Sequence, residues 1–185
     1  ATVQAMQKTN FANWFSYYRT RILMMKSSAG TAFSSIDDRY RVGFSSINKM
    51  PTASTGQKDY FLNIDNYDST QKSAWYAKLY GTYPGGGTPL RTALNTIGQM
   101  YSGSALKDVS DPMQYTCQQN FSILTTDGYW NGDAALIGNR AMPDQDNDDN
   151  IPDPMKDSKN SQVSTLADVA MYYFKNDIRP KKTDT

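Results

Sequence analysis

The sequence has no histidine, no glutamate and a single cysteine among its 185 residues. Without imidazole there is no Ser-His-Asp or Cys-His nucleophile, no histidine base and no histidine metal ligand. One thiol excludes a thiolate zinc site and an internal disulfide framework. All 18 acidic residues are aspartate, so paired-carboxylate hydrolysis would have to run on aspartates alone. No run approaches the roughly 18 consecutive apolar residues of a membrane span, and the first residues carry no signal-peptide pattern. The chain begins without Met, as expected of a processed product or a piece of a longer protein. Charge of one sign is also lacking: 19 Lys and Arg oppose the 18 Asp, for a net charge of +1. Nothing here marks an electrostatic partner such as nucleic acid or an anionic membrane.

What the chain does have is aromatic bulk. Hydrophobic content is only 38%, but 13 Tyr, 7 Phe and 3 Trp supply large apolar bodies with polar handles for a core. The length suits one domain, over residues 1–180 with a short tail at 181–185. Abundant Asp, Asn, Ser, Thr and Tyr read as extracellular rather than cytosolic.

Phe11, Trp14, Phe15, Tyr18, Ile22, Met25, Ala29 and Phe33 recur every three or four residues. This spacing predicts one helix of about six turns, capped by Thr9 or Asn10, with Arg19, Arg21 and Lys26 on its wet side. Residues 40–47 alternate as a strand, and residues 59–64 form a second short one. Helices are expected over 69–80, 89–101 and 164–176. Residues 121–126, Phe-Ser-Ile-Leu-Thr-Thr, suit a strand inside a sheet. From 129 to 160 the chain is rich in Asp, Asn, Gly and Pro, a long insertion of the kind kept for function or disorder. Helices alternating with strands predict an α/β layered domain.

Chemistry concentrates in three places. In Gly85-Gly86-Gly87-Thr88-Pro89, Thr88 and Pro89 fit a helix N-cap and first turn. Alternatively, the glycines bring backbone close to a ligand and the Thr88 hydroxyl faces an ion. In Thr125-Thr126-Asp127-Gly128, Asp127 sits either in a plain turn or at the carboxyl end of a strand, where α/β sheets bind ligands. In Asp144-Gln-Asp-Asn-Asp-Asp-Asn-Ile-Pro-Asp153, the alternation of Asp144, Asp146, Asp148, Asn150 and Asp153 resembles a calcium loop. Asp149 replaces the turn glycine of that pattern and no glutamate closes it, so a solvated acidic loop is the competing reading. Cys117 is either an inert thiol or half of a disulfide with a segment outside the chain.

Four segments resemble one family: residues 10–21, 85–94, 117–131 and 168–180. They are similar to the von Willebrand factor A-like domain of PilY/PilC-type adhesins of bacterial type IV pili, and the likeness runs from about residue 10 to 180. Its most specific part is the run through Trp130 and Asn131. The resemblance implies a doubly wound, Rossmann-like α/β sheet flanked by helices. It also implies a metal-ion-dependent adhesion site, in which Mg²⁺ or Mn²⁺ is held by an Asp-x-Ser-x-Ser loop, a Thr and an Asp. Thr88 and Asp127 match the second and third of these loops. The Asp-x-Ser-x-Ser loop occurs nowhere in the 185 residues, so the chain is expected to be either a fragment that starts after that loop, without the first central strand, or a variant that lacks the motif. In both cases the metal should bind weakly or not at all.

The resemblance thus implies a non-enzymatic module of a pilus-associated surface protein, at the pilus tip or outer membrane. It would act in attachment, pilus biogenesis and twitching motility. Its expected partners are pilus subunits such as minor pilins, a host or surface ligand, and the rest of the parent adhesin. A calcium-stabilised structural domain with a vestigial adhesion site is the alternative, and a metal-dependent hydrolase stands third.

Overall fold

Thr20 divides the first apolar stripe. In the computed structural model, which describes residues 2–57, 59–132, 134–137, 140–145 and 164–180, the stripe forms two helices, α1 (Val3–Tyr17) and α2 (Arg21–Ser34). Thr20 is extended, and its hydroxyl accepts the Leu23 N–H at 3.3 Å. A side chain that caps a new helix ends the old one. The predicted start also moves: Thr9 lies inside α1 and donates back to the Ala5 carbonyl at 3.1 Å. No residue of α1 is buried. At its surface Phe11 stacks on Phe15 and meets Trp14 at a tilt, contrary to the inward stripe expected.

The chain forms two compact units, Ala1–Phe44 with Asp59–Gly85 and Ser45–Lys58 with Gly86–Thr185. In the first, strands β1 (Arg41–Ser45) and β2 (Phe61–Asn66) pair antiparallel, and α3 (Ser69–Gly81) follows. Asp68 starts α3 by accepting the Thr70 and Gln71 N–H groups, each at 2.9 Å. The Gln71 side chain then ties the helix to the sheet, donating to Val42 O at 2.8 Å and Asn63 O at 2.7 Å. Trp75, Tyr67 and Leu79 are the buried centre, with Phe33, Val42, Phe44, Leu62 and Tyr76 packed around them.

Two lysines finish each other's helices. Lys72 of α3 donates to Ser34 O and Ile36 O, at 2.7 and 2.8 Å, at and just past the end of α2. Lys26 of α2 donates to Tyr80 O at 2.7 Å, at the end of α3. A cation beside the last carbonyls satisfies orphan acceptors and opposes the negative helix terminus. Lys26 is therefore buried rather than on the wet side, and burial lowers its ammonium pKa. The spacing of the stripe could not show this, because the carbonyl it caps lies 54 residues away.

In the second unit, α4 (Leu90–Ser102) packs on α5 (Leu166–Lys175) over a short hairpin. Leu136–Ile137 (β3) and Arg140–Ala141 (β4) form it, in antiparallel register Leu136↔Ala141. This hairpin lies inside the predicted insertion. Gly138-Asn139, between Leu136-Ile137 and Arg140-Ala141, is the sequence signal that would have found it. Tyr173 lies flat against Gly98. Its hydroxyl donates to Asn95 Oδ1 at 2.9 Å, while Asn95 Nδ2 donates to Leu136 O at 2.9 Å. Burial pushes the Tyr173 pKa up to about 12. Residues 121–126 form no strand, and Phe121 and Ile123 are exposed. An interior strand needs ladder partners on both edges, and none of the described residues supplies one to this run.

Asp168 is fully buried, at 0% exposure. Its carboxylate accepts Gln145 N–H at 2.6 Å, Thr165 N–H at 2.8 Å and the Thr165 hydroxyl at 3.0 Å. It therefore serves α5 as a capping-box residue and joins the chain at Gln145 to the chain at Thr165. Asp168→Ala should cost about 2 kcal/mol, because it strands buried amides without an acceptor. Urea denaturation measures this, and a variant as stable as the wild type would show that those amides find another partner.

Candidate functional site

The glycine loop is shaped by two asparagines. Gly86 has φ +76°, a left-handed conformation natural to glycine. A Cβ there would stand 2.8 Å from Asn48 Nδ2, and one on Gly87 would stand 2.9 Å from Asn131 Oδ1. The close backbone approach expected of these glycines is thus made, but towards the protein's own side chains. Asn48 is steadied in turn by the Ser46 hydroxyl, which donates to its Oδ1 at 2.7 Å.

Thr88 does not cap α4. The helix begins at Leu90, Pro89 holds the cap position with ψ 71°, and no side chain caps the end. Proline has no N–H to be capped and here does not take the helical ψ, which overturns the expectation of a Thr88 cap. Instead Thr88 is clasped through its backbone. Its N–H donates to Asn131 Oδ1 at 2.6 Å, and its carbonyl accepts the Asn131 N–H at 3.3 Å. Neither bond uses the Thr88 hydroxyl.

Asp127 is exposed, in a turn whose Gly128 has φ +130° and donates its N–H to the Thr126 hydroxyl at 3.4 Å. Only four peptide steps separate Asp127 from Asn131, so their Cα atoms lie at most about 14 Å apart. The clasp therefore brings the Asp127 turn and the Thr88 loop, 39 positions apart in sequence, into one neighbourhood. Asn131 was not predicted as a functional residue. Its signal was a polar residue closing the specific run Asp127-Gly-Tyr-Trp-Asn131.

A hydroxyl and a carboxylate are hard oxygen donors of the kind Mg²⁺ and Mn²⁺ accept, and Mg²⁺ takes six. Thr88 and Asp127 fit as two members of such a shell and do not make a whole one. Among the described residues, no three Asp, Glu, Cys or His side chains converge. Of the acidic loop, Asp144 is half-buried, and Asp146, Asp148, Asn150 and Asp153 lie outside the described residues. Cys117 is an exposed free thiol. No described helix is long and apolar enough to cross a membrane.

The chain is homologous to part of a known pilus protein. It is 30% identical, over 97% of its length, to the type IV pilus biogenesis factor PilY1 of Pseudomonas aeruginosa strain PAK. To PilY1 of strain UCBPP-PA14 it is 31% identical over 94% of its length. These matches take in 16% and 15% of the two relatives, so the chain spans about a sixth of their length. No family model matches the chain, and no solved structure matches it.

Proposed function

We propose, from homology to one segment of the PilY1 biogenesis factors, that this chain is a non-enzymatic assembly and adhesion module of a type IV pilus protein. The observation that carries the reading is the likeness over nearly the whole chain. In this reading the module works at the bacterial surface, at the pilus tip or outer membrane. It contacts pilus subunits or a surface ligand and contributes to pilus biogenesis and twitching motility. Its architecture is the doubly wound von Willebrand factor A-like fold, and the 121–126 run gains its ladder partners from segments outside residues 1–185. Thr88 and Asp127 supply oxygen ligands for Mg²⁺ or Mn²⁺, with the Asp-x-Ser-x-Ser loop from elsewhere in the parent. The clasp between their two loops supports this pairing. A bound divalent ion with few anionic ligands attracts a partner's carboxylate.

Deleting this segment from its parent in a piliated bacterium should abolish surface pili and twitching. Normal piliation would sink the reading. For the chain itself, melting with chelator, Mg²⁺, Mn²⁺ or Ca²⁺ separates the metal readings. Mg²⁺ and Mn²⁺ should leave the isolated chain's Tm nearly unchanged, because two ligands make a weak site. Stabilisation by Ca²⁺ alone, abolished by Asp146→Ala and untouched by Asp127→Ala, would instead establish the calcium-stabilised structural domain. Turnover of a phosphoester or glycoside, lost in Asp127→Ala, would overturn the non-enzymatic assignment.

A further inference from the structure

We infer that Asn131 is a positioning residue, which locks the Thr88 loop to the Asp127 turn before any ligand arrives. The inference rests on the proposed role of Thr88 and Asp127, and deepens it by naming what holds them together. At the start of α4 the chain has backbone donors without helical partners. The Thr88 N–H, next to that start, is spent on Asn131 Oδ1 at 2.6 Å. The return bond from Asn131 N–H to Thr88 O, at 3.3 Å, makes the join two-pointed and fixes its register. The join spans 43 positions of sequence, so it belongs to the tertiary structure and not to a local turn.

Three features show that the join is built for this side chain. Gly87 leaves room for Asn131 Oδ1, where any Cβ would crowd it at 2.9 Å. Gly86 turns through a left-handed φ of +76° over Asn48, which places Gly87 and Thr88 on the Asn131 side. Third, the accepting group is an uncharged amide oxygen. An aspartate could accept the same N–H, but it would add a further carboxylate four residues from Asp127. The amide orders the loop without adding a charge to it. Ordering two loops in advance lowers the entropic cost of any ligand that must contact both.

The test is amide exchange and chemical shift by NMR on the full 185-residue chain. Asn131→Ala should speed exchange of the Thr88 amide about ten-fold, the loss of one good hydrogen bond. It should also shift the Gly128 resonance, while the core Val169 amide stays as protected as before. Asn131→Asp keeps an acceptor oxygen and should restore Thr88 protection. Gly87→Ala, which pushes Asn131 aside, should reproduce the alanine result by another route. Unchanged Thr88 exchange in both Asn131→Ala and Gly87→Ala, an unmoved Gly128 signal, or failure of Asn131→Asp to restore protection would each overturn the inference. A Mn²⁺ titration of the wild type separates this from the ligand reading. Broadening of Thr88 and Gly128 supports both. Its absence, with the exchange pattern as expected, gives no support to a cation in the 185-residue chain and still leaves Asn131 as the residue that joins the loops.

Discussion

Gly98→Ala should destabilise the α4–α5 unit by about 3 kcal/mol, at the upper end of the usual cost of overpacking. The sign is the informative part. Inside a helix, glycine to alanine ordinarily gains about 0.5–1 kcal/mol, because alanine loses less backbone freedom on folding. Here the new Cβ would fall onto three carbons of the Tyr173 ring. The ring cannot step aside cheaply. Its hydroxyl is bonded to Asn95, and the side chain packs against the Ala135, Met142 and Val169 cluster. Gly81, in the last turn of α3, is the internal control, because a Cβ there meets nothing within 4 Å. Gly81→Ala should be neutral or mildly stabilising. Urea denaturation of both variants reads the contrast, and a Gly98→Ala protein at or above wild-type stability would show that the two helices are not in this contact.

The largest single loss is expected from Trp75→Ala, about 4 kcal/mol, in the range of large aromatic truncations in cores. Trp75 is 4% exposed and touches four aromatic rings. Phe33 stacks on it with centroids 4.4 Å apart, while Phe44, Tyr67 and Tyr76 meet it edge-on at 6.2, 6.2 and 5.2 Å. Those rings come from α2, β1, α3 and the turn before α3. One truncation therefore opens a cavity lined from two helices, a strand and the turn between strand and helix. Near-UV circular dichroism should lose its aromatic signature, with the denaturation midpoint moving sharply down. Trp75→Phe, which keeps a ring in the hole, should lose markedly less. Loss of under about 1 kcal/mol in Trp75→Ala would mean that these rings pack elsewhere.

Much of the local structure was legible from spacing. The strand pattern of residues 40–47 became Arg41–Ser45, and the 69–80 and 164–176 helices became Ser69–Gly81 and Leu166–Lys175. Those elements carry their own start signals: Asp68 caps α3, and Thr165 with Asp168 forms the capping box of α5. The break at Thr20 was missed because the apolar period runs straight through it. Only the backbone decides whether a threonine hydroxyl caps a new helix or points to water. The 121–126 run has strand residues but no ladder among the described ones, so side-chain preference alone did not make it a strand.

By itself, the sequence determined what the chain is made to do without. With no imidazole, no glutamate and one thiol, it offers no histidine base, no histidine ligand and no thiolate cluster, and aspartate is its only side-chain carboxylate. It also carried the likeness to a pilus biogenesis factor, which depends on residue order alone. The tertiary structure decided how those groups are used. It placed Lys26 on a carbonyl 54 residues away and buried Asp168 against Gln145. It released Thr88 from the cap it was expected to form and gave its amide to Asn131. Each of these is a hydrogen bond between distant segments. Periodicity and capping rules describe neighbours a few residues apart, so no local pattern could have specified them.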